Sequence, residues 1–150
     1  MSDMPGLTVD DVVENFDLLD DWEARYAYLV ELGESLAAMD DRYRLDDNKV
    51  KGCISQVWVC ALPSPAGDDR IDFVGDCDTA IIKGVLALLI GLMSGHTLQE
   101  IDEMDIDGLF DKLKLAENLS PNRHFGIYAI VELMRGKAHT LSRDPIDSPA

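Results

Sequence analysis

The sequence predicts an α+β fold in which a small antiparallel sheet of three short strands packs against several helices. The β-prone segments cluster between residues 48 and 76, whereas helical patterns occupy the chain before and after them. The connections between the predicted strands are short, which favours antiparallel pairing because parallel strands need a long crossover. The 150 residues show no repeat and no linker. We therefore expect a single domain over residues 1–150, with a core of about 8–140 and short loose termini.

Two helices are expected before the strands. Thr8 is a suitable N-cap for the first, because Asp10 and Asp11 then lie in the first turn, where the helix dipole favours acidic side chains. The second helix is predicted to begin near Asp21, since apolar residues follow it at helical spacing. Its apolar stripe comprises Tyr26, Leu29, Val30, Gly33, Leu36 and Ala37. The loop "MDDRYRLDDN" is expected to end this helix.

The β region is predicted to contain three strands, "NKVKG" (48–52), "ISQVWVCAL" (54–62) and "RIDFVGD" (70–76). The segment "PSPAGDD" between the last two is a turn, because it is rich in Pro, Gly and Asp. The middle segment is apolar on both of its faces. We therefore expect it to be covered on both sides or to lie inside the sheet.

The rest of the chain is predicted to be helical. Asp78 or Thr79 would cap a long apolar helix that runs to about Met93. That helix contains Lys83 and is shorter than the roughly 20 apolar residues that a membrane-spanning helix needs, so it is predicted to be a buried core helix. Later helix starts are marked by Thr97 with Glu100 as a capping box, by Asp105 or Asp107, and by Ser120 followed by Pro121. The last helix is expected to end near Ala138, with a loose tail over residues 142–150.

The charge balance excludes one class of function. The chain has 13 Lys and Arg against 29 Asp and Glu, a formal net charge of −16, which repels a phosphate backbone and argues against nucleic-acid binding. This acidity either steers a basic protein partner or confers solubility alone. The three cysteines are an odd number and fit a reducing compartment better than a disulfide framework. No basic start followed by an apolar run is present, so a cytoplasmic protein without a membrane partner is expected.

Cys53 is the first candidate for chemistry. Gly52 permits a tight turn before it, which would leave the thiol accessible between two strands. Lys49 and Lys51 would lower the thiol pKa and raise the thiolate fraction, whereas the two aspartates just upstream oppose them. The alternative is that Cys53 is a small packed hydrophobe.

The other candidates carry weaker signals. Cys60 is expected to pack within its strand on the side of Trp58, and Cys77 lies where a strand meets a helix start, which favours a thiolate. The cysteines lack a CxxC pair, so a metal site is poorly supported. His124 could serve as the base of a thiol hydrolase, but nothing in the sequence places it near Cys53.

Arg123 falls in the first turn of the last predicted helix, where the helix dipole disfavours a cation. It is either an exposed side chain or one that a carboxylate or a sulfur anion holds in place. The sequence leaves both interpretations open.

Three segments resemble one known family. "GCISQVWV" is similar to the motif G-C-x-S-Q-V-W of the SufE-type sulfur acceptors, the cysteine desulfuration proteins. "GDCDTAIIKGVLALLIGLMSGHTLQEI" resembles the family's G-D-S-D-A-x-I-V-K-G segment and the helix after it, and "LSPNRHFGIYAI" resembles its L-S-P-x-R segment. The resemblance extends over most of residues 8–140, and the three segments follow one another in the order that the family shows.

The resemblance implies a function and a fold. SufE-type proteins accept sulfur from a pyridoxal-phosphate-dependent cysteine desulfurase of the SufS or CsdA type and stimulate it. The sulfur then passes to a scaffold complex of the SufBCD type for iron–sulfur cluster assembly. The implied fold is an α+β sandwich similar to the IscU-type scaffold. Neither a cofactor nor an independent turnover reaction is implied, because the pyridoxal phosphate belongs to the desulfurase; a homodimer stays open.

The resemblance also assigns roles to residues. The family's motif cysteine corresponds to Cys53, whose thiolate would attack the terminal sulfur of the desulfurase persulfide. Some shelter of Cys53 is expected until the partner docks. Gly52 and Gln56 belong to the same motif and are supporting candidates. Arg123 corresponds to the arginine of L-S-P-x-R and would orient the cysteine loop or contact the partner.

Asp76 and Asp78 correspond to the acidic residues that flank the family's serine, and they would touch the active loop or face the desulfurase. Cys77 replaces that serine, so it is either a neutral exchange or able to trap Cys53 as a disulfide. Two other classes stay open. An iron–sulfur or metal-binding scaffold of IscU-like fold would need three or more converging ligands, and an independent thiol enzyme would need a base and a substrate pocket.

Overall fold

A computed structural model describes residues 8–19, 21–51, 56–65, 67–115, 119 and 121–147, with side chains except at 9, 121–125 and 143–147. These residues form six α-helices and one three-stranded antiparallel sheet of order β1-β2-β3, which confirms the predicted α+β class. The elements are α1 (Val9–Leu18), α2 (Trp22–Glu34), β1 (Val57–Pro63), β2 (Arg70–Cys77), α3 (Ala80–Met93), β3 (His96–Thr97), α4 (Leu98–Glu103), α5 (Ile106–Leu113) and α6 (Pro121–Asp147).

The first two helices begin where predicted, at Thr8 and near Asp21. Thr8 Oγ1 accepts the Asp11 N–H at 3.1 Å, and the Asp11 carboxylate accepts the Thr8 N–H at 3.3 Å. This reciprocal capping box satisfies two backbone donors that a helix start otherwise leaves unpaired. Asp21 caps α2 through a single contact, in which its side chain accepts the Ala24 N–H at 2.8 Å.

The apolar helix α3 forms the centre of the core, as its sequence predicts. Every residue from Ile81 to Met93 is buried except Lys83 and Gly91. Helix α2 crosses it closely where two glycines face each other, because a Cβ on Gly33 would lie only 2.9 Å from the backbone N of Gly84. Among the helices of the described residues, none combines the length and apolar character that a membrane crossing requires.

The sheet covers another side of α3. A Cβ on Gly75 in β2 would lie 3.2 Å from the Leu86 side chain of α3, so the glycine lets sheet and helix approach. Strand β1 buries one face and leaves the other half-buried, which corrects the expectation that both faces are covered. Strand β1 begins at Val57, after Gln56, and the middle strand of the sheet is β2.

The prediction of a strand over 48–52 is wrong for its described residues. Lys49 makes a single bridge to Trp58, and a turn of 3₁₀ helix, Asp46–Asn48, precedes it. The turn forms because Asn48 is buried and donates from Nδ2 to the Tyr43 carbonyl at 2.8 Å. The third strand is β3, which pairs with the start of β2 and is too short to give an alternating pattern.

The later helices begin where predicted but the last one ends later. Thr97 and Glu100 form the expected capping box of α4, and Asp105 caps α5. Helix α6 begins at Pro121 and runs to Asp147. The predicted end at Ala138 is therefore wrong, and the helix extends to residue 147 in the segment that was predicted as a tail. The helix continues because Leu141 packs against the core beyond Ala138.

Candidate functional site

The chain around Cys53 is anchored at the end of the sheet where β1 begins and β2 ends. The Val50 N–H donates to the Val57 carbonyl at 2.8 Å, and Lys49 bridges Trp58. The chain before the 52–55 segment is therefore paired with the chain after it. Residues 52–55, which include the predicted Gly52 and Cys53, lie outside the described residues. We call them the Cys53 segment, and the site is defined by what frames them.

The exit from the Cys53 segment is fixed by Gln56 and Asp78. The Gln56 N–H donates to Asp78 Oδ1 at 3.0 Å, and the Asp78 N–H donates back to the Gln56 carbonyl at 3.1 Å. Asp78 Oδ1 also accepts the Thr79 hydroxyl at 3.2 Å, which ties this pair to the start of α3. Both predicted residues are exposed. The structure therefore brings together two of the predicted site residues beside the Cys53 segment.

Asp76 lies on β2, two residues before Asp78 and opposite Trp58 of β1. It is the centre of an ion-pair cluster. Its carboxylate is 2.6 Å from Arg44 Nη1 and 3.3 Å from Lys83 Nζ, and it accepts the Cys77 N–H at 2.8 Å. Partial burial raises the pKa of the Asp76 carboxyl, but these hydrogen bonds and the lysine charge outweigh it. The pKa of Asp76 is therefore held below its usual value, and the carboxylate is ionised at neutral pH.

Arg44 is the residue of this cluster that the sequence did not reveal. Its hydrogen bond to the ionised Asp76 is the largest effect and raises the pKa of the guanidinium; burial opposes this rise, and the hydrogen bond to Asp41 adds to it. Its Cζ also lies 5.4 Å from the centre of the Trp58 ring. In the sequence Arg44 is one of two arginines, with Arg42, in a loop rich in Asp, and its partner Asp76 on β2 is distant along the chain.

Lys83 is another member of the cluster, and its position within an apolar helix is a sequence feature that indicates a charged partner. It is the one charged residue in the apolar sequence of α3, and a cation in such a helix needs a partner or a path to water. The structure supplies Asp76 as that partner and leaves the Lys83 side chain 33% exposed. The cluster therefore joins the loop after α2, the end of β2 and the start of α3.

Cys60 and Cys77, the two cysteines that the structure describes, are both at least partly buried. Cys60 is half-buried, and desolvation raises the pKa of its thiol against a smaller opposing effect of Lys137. Cys77 is 6% exposed, and its Sγ accepts the Thr79 N–H at 3.4 Å. Burial and a raised pKa both reduce thiolate chemistry at such positions. The packing role predicted for Cys60 agrees with this environment.

The remaining predicted residues fall partly outside the description. Arg123 is the third residue of α6, but its side chain and that of His124 are not described. Lys51 is exposed and Lys49 is half-buried. Within the described part of the chain, no three His, Cys, Asp or Glu side chains converge as metal ligands would.

The fold, a three-stranded antiparallel sheet packed against helices, places this chain in a class of small α+β proteins. A solved structure of the same fold is the solution structure of a hypothetical protein from Thermus thermophilus. It superposes with a TM-score of 0.72 over 88% of this chain and 93% of that one, at 17% sequence identity. At that identity the similarity shows the fold alone.

The sequence comparisons are more specific. The family model SufE, described as an Fe-S metabolism associated domain, matches residues 10–138. An uncharacterized SufE-like protein of Rhizobium etli is 38% identical over 132 residues, which are 87% of this chain and 89% of that protein. Another, of Rhizobium meliloti, is 36% identical over 132 residues, covering 87% and 94%. The chain belongs to the SufE family, a family associated with iron–sulfur metabolism.

Proposed function

We propose that this protein is a sulfur acceptor that takes persulfide sulfur onto Cys53 from a pyridoxal-phosphate-dependent cysteine desulfurase. It stimulates that enzyme and passes the sulfur on for iron–sulfur cluster assembly. Family membership supports the area of metabolism. The observation that carries the proposal is that the chain on both sides of the Cys53 segment is held at the end of the sheet. The Val50 N–H donates to the Val57 carbonyl, and Gln56 is hydrogen-bonded to Asp78.

The transfer is an exchange at a sulfur centre. The Cys53 thiolate attacks the terminal sulfur of the partner's cysteine persulfide, a new S–S bond forms at Cys53, and the old S–S bond breaks. The partner cysteine leaves as a thiolate and takes up a proton. The sulfur atom moves without net oxidation or reduction, so the protein needs no cofactor of its own. The protein is a carrier and activator, and the desulfurase carries out the turnover.

The environments of the other cysteines support Cys53 as the acceptor. The attacking group must be both ionised and reachable by a second protein. Cys60 has a thiol pKa that burial raises, and Cys77 is almost fully buried. The reaction also needs a reduced thiol, which suits a reducing compartment such as the cytoplasm.

The charge of the chain supports a protein partner of opposite sign. At a formal net charge of −16, long-range attraction would speed association with a desulfurase or a scaffold complex that presents a basic surface. Such steering weakens as salt is added, because exposed charges are screened over about 10 Å at 0.1 M ionic strength.

The proposal is tested by the turnover of a cysteine desulfurase supplied with cysteine and this protein. We expect wild type and Cys60→Ser to stimulate alanine formation equally and Cys53→Ser to abolish the stimulation. Cys60→Ser is the matched control because it removes a thiol from the same sheet. Full stimulation by Cys53→Ser would overturn the proposal. Iron bound to the purified protein through Cys53 would favour a scaffold instead.

A further inference from the structure

We propose that Arg44 is a positioning residue for sulfur transfer, which holds the chain leading into the Cys53 segment against the end of the sheet. The inference rests on the proposed function and extends it to a residue outside the cysteine motif. Arg44 lies in the loop between α2 and the turn Asp46–Asn48. Its side chain reaches across to β2.

The guanidinium uses all three of its nitrogens. Nη1 lies 2.6 Å from the Asp76 carboxylate, Nε donates to Asp41 at 2.9 Å, and Nη2 donates to the Met39 carbonyl at 3.4 Å. Two of these contacts fix the shape of the loop after α2, and the third fixes that loop to β2. Charge-assisted contacts of this kind are shorter and stronger than neutral hydrogen bonds.

The Arg44 side chain also contacts the pair of sheet residues, Trp58 and Asp76, that lies next to the Gln56–Asp78 end of the sheet. Trp58 of β1 lies opposite Asp76 of β2 in the sheet, and Arg44 contacts both, through the ring at 5.4 Å and through the carboxylate. Lys49 bridges that same Trp58 from the other side. Arg44 therefore acts on the sheet position to which the incoming chain is joined, four residues before Cys53.

Loss of Arg44 would leave the fold in place. Asp76 would keep Lys83 at 3.3 Å and the Cys77 N–H at 2.8 Å, so its carboxylate would stay paired with α3 and with its own strand. The connection that disappears is the side-chain contact between β2 and the loop after α2, while the backbone contacts of Lys49 and Val50 with β1 remain. The expected defect is therefore in the placement of the thiol, since small misplacements of reacting atoms reduce rates strongly.

A lysine cannot replace this arginine fully. Its single ammonium can pair with Asp76, but it cannot also span Asp41 and the Met39 carbonyl in the planar geometry of the guanidinium. Arg44→Lys therefore keeps the charge and loses the shape. It separates positioning from simple electrostatic attraction.

The test measures the initial rate of sulfur uptake on Cys53 by intact mass, with a desulfurase, cysteine and increasing concentrations of the acceptor. We expect Arg44→Gln to lower the saturated rate by about tenfold or more and to change the half-saturating concentration by about twofold at most. Arg44→Lys should fall between Arg44→Gln and wild type. Arg42→Gln is the matched control, because the Arg42–Asp40 pair of the same loop is wide, at 3.6 Å, and exposed.

The pairing itself is tested with Asp76→Asn. If the two residues act together, the double variant should lose no more of the saturated rate than Arg44→Gln alone. Losses that multiply, or that follow the unfolded fraction of each variant, would overturn the positioning role. Should Arg44→Gln fail to fold, Arg44→Lys decides, and a saturated rate equal to wild type in a folded Arg44→Lys would count against the inference.

The test also separates this inference from the proposed function. If the wild-type protein takes up sulfur and both Arg44→Gln and Arg42→Gln have the same saturated rate as wild type, only the role proposed for Arg44 is overturned. A wild-type protein that takes up no sulfur would overturn the proposed function and this inference with it.

Discussion

Gln56 and Asp78 form a two-way hydrogen-bonded pair, with the Gln56 N–H on Asp78 Oδ1 at 3.0 Å and the Asp78 N–H on the Gln56 carbonyl at 3.1 Å. Asp78 thus extends the β1–β2 pairing by one step beyond the end of both strands. The pair joins Gln56, the residue that follows the Cys53 segment in the chain, to Asp78, which precedes α3. It sets where the segment ends, on the strength of one side-chain contact and one backbone contact.

The Gln56 amide should report the loss of that side-chain contact. We expect Asp78→Ala to raise hydrogen exchange at the Gln56 N–H about fivefold, because a net hydrogen bond is worth about 1 kcal/mol. Asp78→Asn keeps an acceptor oxygen at the same place and should change exchange less. The rates are measured by NMR, and equal exchange in wild type and Asp78→Ala would contradict the pairing.

The Asp76 cluster should make stability depend on acidic pH. The folded-state pKa of Asp76 lies below its ordinary value of 3.8, so between the two values the unfolded chain binds more protons and stability rises with pH. The contribution is complete above about pH 4 and is lost as pH falls through the lowered folded pKa. Asp76→Asn should therefore be less stable than wild type at neutral pH, and the difference should shrink in acid.

Urea unfolding at several pH values measures this difference. The same substitution at exposed Asp68 is the control, and it should change the free energy of unfolding by less than about 0.5 kcal/mol. A difference between wild type and Asp76→Asn that stayed constant from neutral to strongly acidic pH would show that ionisation of Asp76 is not its source.

The crossing of α2 and α3 should not accept a methyl group. A Cβ on Gly84 would collide with the Leu29 carbonyl, a backbone atom that cannot move without displacing α2. Gly84→Ala should cost about 1–3 kcal/mol or more. Gly136→Ala is the opposite case, since a Cβ there meets nothing within 4 Å, and it should stabilise α6 by about 0.5–1 kcal/mol. Thermal unfolding tests both, and a neutral Gly84→Ala would contradict the close crossing.

Cys60 should react slowly with alkylating reagents in the native protein. Burial raises the pKa of its thiol, and Lys137 opposes that rise. Native Cys60 should therefore be alkylated more slowly than in the unfolded chain, and Lys137→Met should slow it further. Peptide mapping after timed alkylation at mildly alkaline pH measures both rates, with Lys112→Met as a control for a lysine on another helix. Faster alkylation in the native state would contradict the assigned environment.

The parts of the fold that the sequence predicted are those with local signals. Thr8, Asp21, Thr97 and Asp105 each cap a helix through a residue three positions later, so a short stretch contains the whole interaction. The end of α6 was missed because packing of Leu141, a tertiary contact, carries the helix past Ala138. Strand β3 was missed because two residues give no period.

In the candidate site, too, residues with local sequence signals were predicted and a residue that depends on a tertiary contact was not. The motif around Cys53 was recognisable in sequence, and so were the acidic residues at 76 and 78. Arg44 was not, because its role depends on a partner on β2 that folding alone brings within 2.6 Å. A charged residue in an acidic loop is ordinarily solvated, and only the tertiary structure shows that this one is held at the sheet.

The central claim is tested most directly by following the sulfur atom. A desulfurase is given isotope-labelled cysteine with wild type, Cys53→Ser, Cys60→Ser or Cys77→Ser, and the acceptor is separated and mapped under non-reducing conditions. We expect labelled persulfide on the peptide that contains Cys53 in wild type and in the Cys60 and Cys77 variants, and none in Cys53→Ser. Label on Cys60 or Cys77, or undiminished label in Cys53→Ser, would contradict the role of Cys53 as the sulfur acceptor.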